Sequence, residues 1–382
     1  MIYLDNAATT KLRLEVLDAM MPYLKEEYGN PSAVYELATT AKRAVDESRR
    51  VIAEAIGALP QEIYFTSGGT ESDNWALKSV ADGYANFGRH IIVSQIEHHA
   101  VLNSAEMLER HGFNVTYLDV DRFGRVDTGK LMGAIGTETI LVSIMAANNE
   151  IGTIEPIKQI GEICRENDVI FHVDAVQAFG HIPLNVKGMH INLLSGSAHK
   201  FGGPKGIGFL YVRKDIKIPS LIDGGSQERR LRAGTLNVPG IVGMAKAAEL
   251  SINEMERQSM HQCELRDYFI GRVLSEIPDS MLNGHPTERL PNNINISFKG
   301  VDGETLLLLL NQKGICCSAG SACTSGDAGI SHVLRAIGLT EGEAESSLRF
   351  SLSSDTTKQD LDFVIQTLKK AVSCVRPHMI LQ

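Results

Sequence analysis

Val169-Ile170-Phe171-His172-Val173-Asp174, then Ile191-Asn192-Leu193-Leu194 and Ser195-Gly196-Ser197-Ala198-His199-Lys200, form the stretch on which the fold turns. The run 169–173 is apolar except for one histidine, as expected of a strand buried on both faces. Working outward, similar β-rich runs occur at Ile63–Thr66, Ile91–Ser94, Val115–Val120, Ile140–Met145, Ile191–Leu194 and Gly208–Val212. Between them, apolar residues three and four apart predict helices over Ser72–Tyr84, Ala100–Arg110 and Ile157–Glu166. Strands alternating with helices predict an α/β fold with a mostly parallel sheet. Helical stretches at Leu12–Glu27 and Ala33–Ile56, parted by Gly29-Asn30-Pro31, precede this core, and a long one over Ile241–Ile277 follows it. The last hundred or so residues change character. They read as a strand (Ile294–Phe298), a helix (Gly303–Gln312), a Ser/Gly/Cys loop, a strand (Leu348–Leu352) and a closing helix (Lys358–Val375). The expected division is a large α/β domain over 13–255 and a smaller α+β domain built from 1–12 and 256–382, because chain ends often lie close together.

A length of 382 residues suits two domains, and 43% apolar with 22% charged residues is ordinary for a globular chain. The longest pure aliphatic run, Leu306–Leu310, is far short of the roughly 18 residues of a membrane span. Met1-Ile2-Tyr3-Leu4-Asp5 lacks the basic-then-apolar pattern of a secretory signal, so the expected location is cytoplasmic. The net charge of −9, from 37 cations and 46 anions without a basic block, argues against nucleic acid as a direct ligand. Six cysteines without a C-x-x-C read as thiols, not as a disulfide framework or a zinc site.

Ligands of such sheets bind beyond the carboxyl ends of the strands. After Ile63–Thr66 comes Ser67-Gly68-Gly69-Thr70-Glu71-Ser72. It reads equally as a phosphate cup at a helix start and as a tight, capped strand–helix turn. Asp174, with Gln177 three residues on, ends a buried strand. It needs a partner there, either a cationic ring nitrogen or an ordinary buried or capping contact. Lys200 follows another strand and precedes the glycine-rich bend Phe201-Gly202-Gly203-Pro204-Lys205-Gly206. It is a surface lysine on its own, or an amine nucleophile if held inside a site. His98, in Glu97-His98-His99, suits ring stacking or acid–base work better than metal binding, since adjacent histidines share no helix face. Asn148-Asn149-Glu150 adds polar groups at the same rim. A phosphate cup, an imidazole, a carboxylate and a lysine together describe a site for pyridoxal 5′-phosphate.

The ordered motifs extend this over essentially the whole chain. They are Tyr3-Leu4-Asp5-Asn6-Ala7-Ala8-Thr9-Thr10, Gly29-Asn30-Pro31-Ser32, Thr66-Ser67-Gly68-Gly69-Thr70-Glu71, Asn148-Asn149-Glu150-Ile151-Gly152 and His172-Val173-Asp174-Ala175. Ser197-Ala198-His199-Lys200, Arg232-Ala233-Gly234-Thr235-Leu236, Gly320-Ser321-Ala322-Cys323-Thr324-Ser325 and Leu348-Arg349-Phe350-Ser351 complete the set. With them the sequence resembles the cysteine desulfurases of the NifS/IscS type (group I), within the class V aminotransferases of pyridoxal-phosphate fold type I. The resemblance implies that Lys200 carries pyridoxal phosphate and moves the Cα proton. It implies that Asp174 pairs with the ring nitrogen, Gln177 with the ring hydroxyl oxygen, and that His98 stacks on the ring. Gly69, Thr70, Ser197 and His199 would bind the phosphate. Thr235 would reach the phosphate of a second subunit, which implies a homodimer. Asn149 and Arg349 would hold the carboxylate of L-cysteine; Asn149 also borders the cofactor.

Cys323 sets the desulfurases apart from aminotransferases of the same fold. The resemblance implies that its thiolate takes the substrate sulfur as a persulfide, leaving L-alanine, with His98 the candidate to deprotonate it. The sulfur would pass to an acceptor protein, an iron–sulfur scaffold or a tRNA-thiolation enzyme. The alternative is another class V enzyme, a selenocysteine lyase or an aminotransferase. No metal is implied.

Overall fold

In the computed structural model, residues 1–319 and 330–376 are described, and Cys323 lies outside them. After β1 (Ile2–Tyr3) come helices α1 (Leu14–Lys25) and α2 (Glu36–Ala55). The alternating core then runs β2 (Ile63–Thr66), α3 (Gly69–Tyr84), β3 (His90–Ser94), α4 (His99–Arg110), β4 (Asn114–Leu118), α5 (Thr128–Ala134), β5 (Thr139–Ser143), α6 (Ile157–Glu166), β6 (Ile170–Asp174), β7 (Leu193–Ser197) and β8 (Gly208–Val212). Its seven strands lie in the order β2-β8-β7-β6-β5-β3-β4. Only β8 runs against the others, pairing antiparallel with both β2 and β7. Strands β2, β3, β5, β6, β7 and β8 are buried at every position, which explains the apolar runs within them.

The predicted strand at Ile191–Leu194 lies two residues further on, because Ser195-Gly196-Ser197 is strand and not turn. Gly196 is required there, since a Cβ would sit 2.2 Å from the Phe209 ring. Helix α5 was not read from the sequence; two glycines dilute its pattern, although Asp127 caps it by accepting from Gly129 N and Lys130 N.

Helix α7 (Val238–Glu276) is 39 residues long and joins two cores. Its first half packs on α1 and α2 through Ile241, Met244, Ala247 and Ala248. Its second half sends Leu265, Phe269 and Val273 into a separate cluster. That cluster covers β9 (Ser280–Leu282), β10 (Asn293–Phe298), α8 (Gly303–Gln312), β11 (Ile315–Cys316), β12 (Ser318–Ala319), β13 (Ser347–Ser351) and α11 (Lys358–Val375), while α9 (His332–Ala336) and α10 (Glu341–Glu345) send Val333, Leu334 and Ala344 into a smaller cluster with Ile96, Met145 and Ile151. Here β12-β13-β10-β9 form one sheet, and β1 pairs with β11. The N-terminus therefore joins the C-terminal layer through Leu4 and the β1–β11 ladder.

Candidate active site

The carboxyl ends of β2 and β7 open onto one cavity of about 440 Å³, lined by Ala8, Thr9, Ser67–Thr70, Ser197, His199 and Lys205 among others. Its floor is backbone. Gly68 has φ +155°, in the region glycine favours. A Cβ on Gly69 would stand 2.6 Å from Val176 Cγ2, and one on Gly208 2.7 Å from the Gly68 Cα. Glycine is thus needed for packing as well as conformation. α3 begins at Gly69, so its free first-turn N–H groups face this cavity with the positive end of the helix. The hydroxyls of Thr70 and Ser197, the His199 ring and the Lys205 ammonium complete a lining suited to a phosphate dianion.

Lys200 lies in the short helical turn after β7, with Nζ 2.8 Å from the carbonyls of Ala7 and Ala8. Gln177 Nε2 donates to the same Ala7 carbonyl at 2.9 Å. His199 Nδ1 is 3.2 Å from the Thr9 hydroxyl. The N-terminal segment therefore crosses directly beside the lysine. The sequence alone did not assign these contacts, because Ala7 and Ala8 act through carbonyls and their side chains carry no signal.

Asp174 ends β6 wholly buried, one oxygen accepting from Val176 N at 2.9 Å. Burial pushes its carboxyl up to about 6, opposed by that N–H and by Lys200. A buried acid of this kind is relieved by a cationic ring nitrogen. The cup, the lysine and the acid thus fit pyridoxal phosphate: an anion cradle, an amine and a partner for the ring.

His98 caps α4, its Nδ1 accepting from Ala100 N at 3.1 Å. That bond assigns the neutral ring's proton to Nε2. Burial, then Lys200 and His99, lowers its pKa to about 4. The ring is therefore neutral at physiological pH and offers an N–H donor. In this tautomer Nε2 accepts no proton, so any role for His98 in deprotonating Cys323 requires it to give up its own proton first.

Arg349, on β13, is 3% exposed. Its Nη2 reaches Asp5 Oδ1 at 2.8 Å and Ser318 Oγ at 3.2 Å, and Nη1 reaches the Asn149 carbonyl at 3.1 Å. Its buried Nε has no partner. Asn149 thus meets Arg349 through its carbonyl, bringing the two residues expected to hold substrate carboxylate together. The unpaired Nε–H is a donor still available to a carboxylate. Thr235 is exposed on its own chain. Beside it, Glu228 accepts from both Arg49 Nη atoms and from Phe65 N, a buried pair that fixes the 228–230 segment in left-handed backbone.

The Aminotransferase class-V profile matches residues 2–364. A protein of Methanosarcina thermophila named cysteine desulfurase IscS is 54% identical over 375 residues, covering 98% of this chain and 93% of that one. A solved NifS-like protein superposes with a TM-score of 0.92 at 38% identity, covering 98% and 99% of the two chains. A second structure, described as SspA in complex with cysteine, gives 0.84 at 36% identity, covering 94% of this chain and all of that one. The chain belongs to the aminotransferase class-V family, on its cysteine desulfurase branch, and is a pyridoxal-phosphate enzyme of that kind.

Proposed function

We propose that the desulfurase reaction of this chain runs on the residues assembled above, with Cys323 as sulfur acceptor. When bound, the cofactor supplies an electron sink for the substrate's Cα and Cβ. The remaining work belongs to the protein. Arg349 and the neighbouring Asn149 hold the carboxylate of L-cysteine, the guanidinium already oriented by Asp5 and Ser318. Lys200 would hold the cofactor and would move the Cα proton. Asp174 would meet the ring nitrogen and Gln177 the ring hydroxyl. Gly69, Thr70, Ser197 and His199 anchor the phosphate. His98 would stack on the ring, with its Nε2–H as a donor. The Cys323 thiolate attacks the substrate sulfur. An S–S bond forms as the C–S bond breaks, and Cβ keeps the electron pair and is protonated. L-Cysteine and the enzyme thiol become L-alanine and an enzyme persulfide, with sulfur oxidised and carbon reduced.

The convergence of the anion cup, Asp174 and Lys200 at one sheet edge carries this reading. One turnover with limiting L-cysteine and no reductant tests it. The expected result is alanine equal to the cysteine consumed, with one added sulfur atom on the peptide containing Cys323. Sulfur mass elsewhere, or amino transfer to a keto acid, would overturn it. We further propose division into domains 13–255 and 1–12 with 256–382, a homodimer in which Thr235 reaches the partner's phosphate, and a cytoplasmic location. The sulfur is passed to an acceptor protein, either an iron–sulfur scaffold or a tRNA-thiolation enzyme. Among the described residues no helix is long and apolar enough to cross a membrane.

A further inference from the structure

A polar layer lies buried directly beneath the site, and the reaction as described makes no use of it. His172 and Asp174 are two residues apart on β6, so their side chains leave the same face of the strand. Ser143 on β5 stands opposite His172, and Ser195 on β7 opposite Asp174. His172 is wholly buried, with Nδ1 2.8 Å from Ser143 Oγ and Nε2 3.0 Å from Ser195 Oγ. The helix covering these strands is α3, the one whose start forms the phosphate cup. It contributes Asp73, 1% exposed, whose Oδ1 stands 3.7 Å from His172 Nε2. The Asp73 carboxyl also bonds Ser195. Its Oδ1 has no hydrogen-bond partner.

Two carboxyls, Asp73 and Asp174, therefore share one dry layer. The titratable groups facing Asp73 are His172 and Asp174 from β6 and Glu97 from the turn after β3; Lys200 acts on Asp174 and on His98 instead. None of the groups facing Asp73 is a cation. Burial holds His172 neutral down to about 3, and Glu97 is itself a buried acid. An ionised Asp73 would be a buried anion without a counter-charge, which is strongly unfavourable. A Ser195 hydroxyl donating to the carboxyl favours the ionised form, but burial and the neighbouring Asp174 outweigh it and push the Asp73 carboxyl well above the usual carboxylate range. Protonated, Asp73 becomes the donor and the layer closes into a directional chain. Asp73 gives its O–H to Ser195, Ser195 gives its own to His172 Nε2, and His172 Nδ1–H reaches Ser143.

We propose that Asp73 is a positioning residue for the cofactor: it keeps its proton within the Ser195–His172–Ser143 chain and so leaves Asp174 as the single anion beneath the ring. The inference rests on the reading of Asp174 as partner of the ring nitrogen.

The test compares Asp73→Asn, a neutral isostere that can still donate to Ser195, with Asp73→Ala and Asp174→Asn in the full chain. Pyridoxal-phosphate affinity and melting temperature are followed between about pH 5 and 8, together with the infrared carbonyl stretch of protonated carboxyls. Asp73→Asn is expected to hold cofactor affinity within about twofold of the parent, while Asp73→Ala, which leaves Ser195 without its donor, weakens it about tenfold. The carboxylic-acid band of the parent at pH 8 should lose intensity in either Asp73 variant. The parent alone must keep that proton as pH rises, so the stability gain of Asp73→Asn over it should widen from about pH 5 to 8. A tenfold affinity loss in Asp73→Asn, or no loss of the acid band in either variant, would overturn the proposal. Unchanged affinity in Asp174→Asn would instead overturn the reading of Asp174.

Discussion

Replacing Arg349 with lysine separates charge from geometry at the expected carboxylate site. The guanidinium spans three partners, with Nη2 on Asp5 and Ser318 and Nη1 on the Asn149 carbonyl, and leaves Nε unpaired. A lysine keeps a cation near Asp5, so no buried anion is stranded. A single ammonium cannot reach from Asp5 to Asn149, however, and it lacks the planar fork. Two lost hydrogen bonds at about 1 kcal/mol each give about 2 kcal/mol of destabilisation, tolerable against an overall stability of about 5–15 kcal/mol. The substrate loses one arm of a charge-assisted bidentate contact, worth about 1.5–3 kcal/mol, or about 10–150-fold in kcat/KM. Alanine formation at graded L-cysteine concentrations measures this, with the cofactor's visible band and the melting temperature as controls. The loss should fall mainly in KM, with the band retained. A kcat/KM within about twofold of the parent, in a folded and loaded variant, would refute the assignment of Arg349 to the substrate carboxylate.

Three further outcomes follow from the packing and electrostatics. His98 is held neutral from its ordinary 6.5 down to about 4, so the unfolded chain takes up that proton first and stability rises with pH across this window; His98→Gln should flatten the acid side of a melting-temperature profile. Glu228→Gln removes the anion facing Arg49 in a pair whose side chains are 9% and 1% exposed, and should cost about 3–5 kcal/mol in urea unfolding. Gly208→Ala would drive a Cβ to within 2.5 Å of the Gly196 carbonyl and 2.7 Å of the Gly68 Cα. It should destabilise the fold by about 1–3 kcal/mol and weaken phosphate-bearing ligands, read by titration with pyridoxal phosphate.

Much of this was legible in the sequence where one residue type and one strand end told the story. Asp174 stands out because a charged group closing a buried run needs a partner, whereas Lys200 reads as a surface lysine until it is taken together with Asp174. The long amphipathic helices and the fully buried strands were likewise readable from period and composition. Other features were not. Strands β11 and β12 have two residues each, too short for any period to show. The Asp5–Arg349 pair joins residues 344 apart in the chain. The Ala7 and Ala8 carbonyls act through backbone. Asp73, in the middle of a helix, reads as an ordinary solvated acid until the sheet register brings Ser195 and His172 beneath it. Each of these depends on what lies opposite in space, which local pattern does not encode.

The most direct test of the central claim compares the parent with Cys323→Ala, each loaded with cofactor and given L-cysteine and a reductant. The account predicts equal sulfide and alanine from the parent, and loss of both products in the variant with its cofactor band intact. Undiminished formation of both products by the variant would show that Cys323 is not the sulfur acceptor.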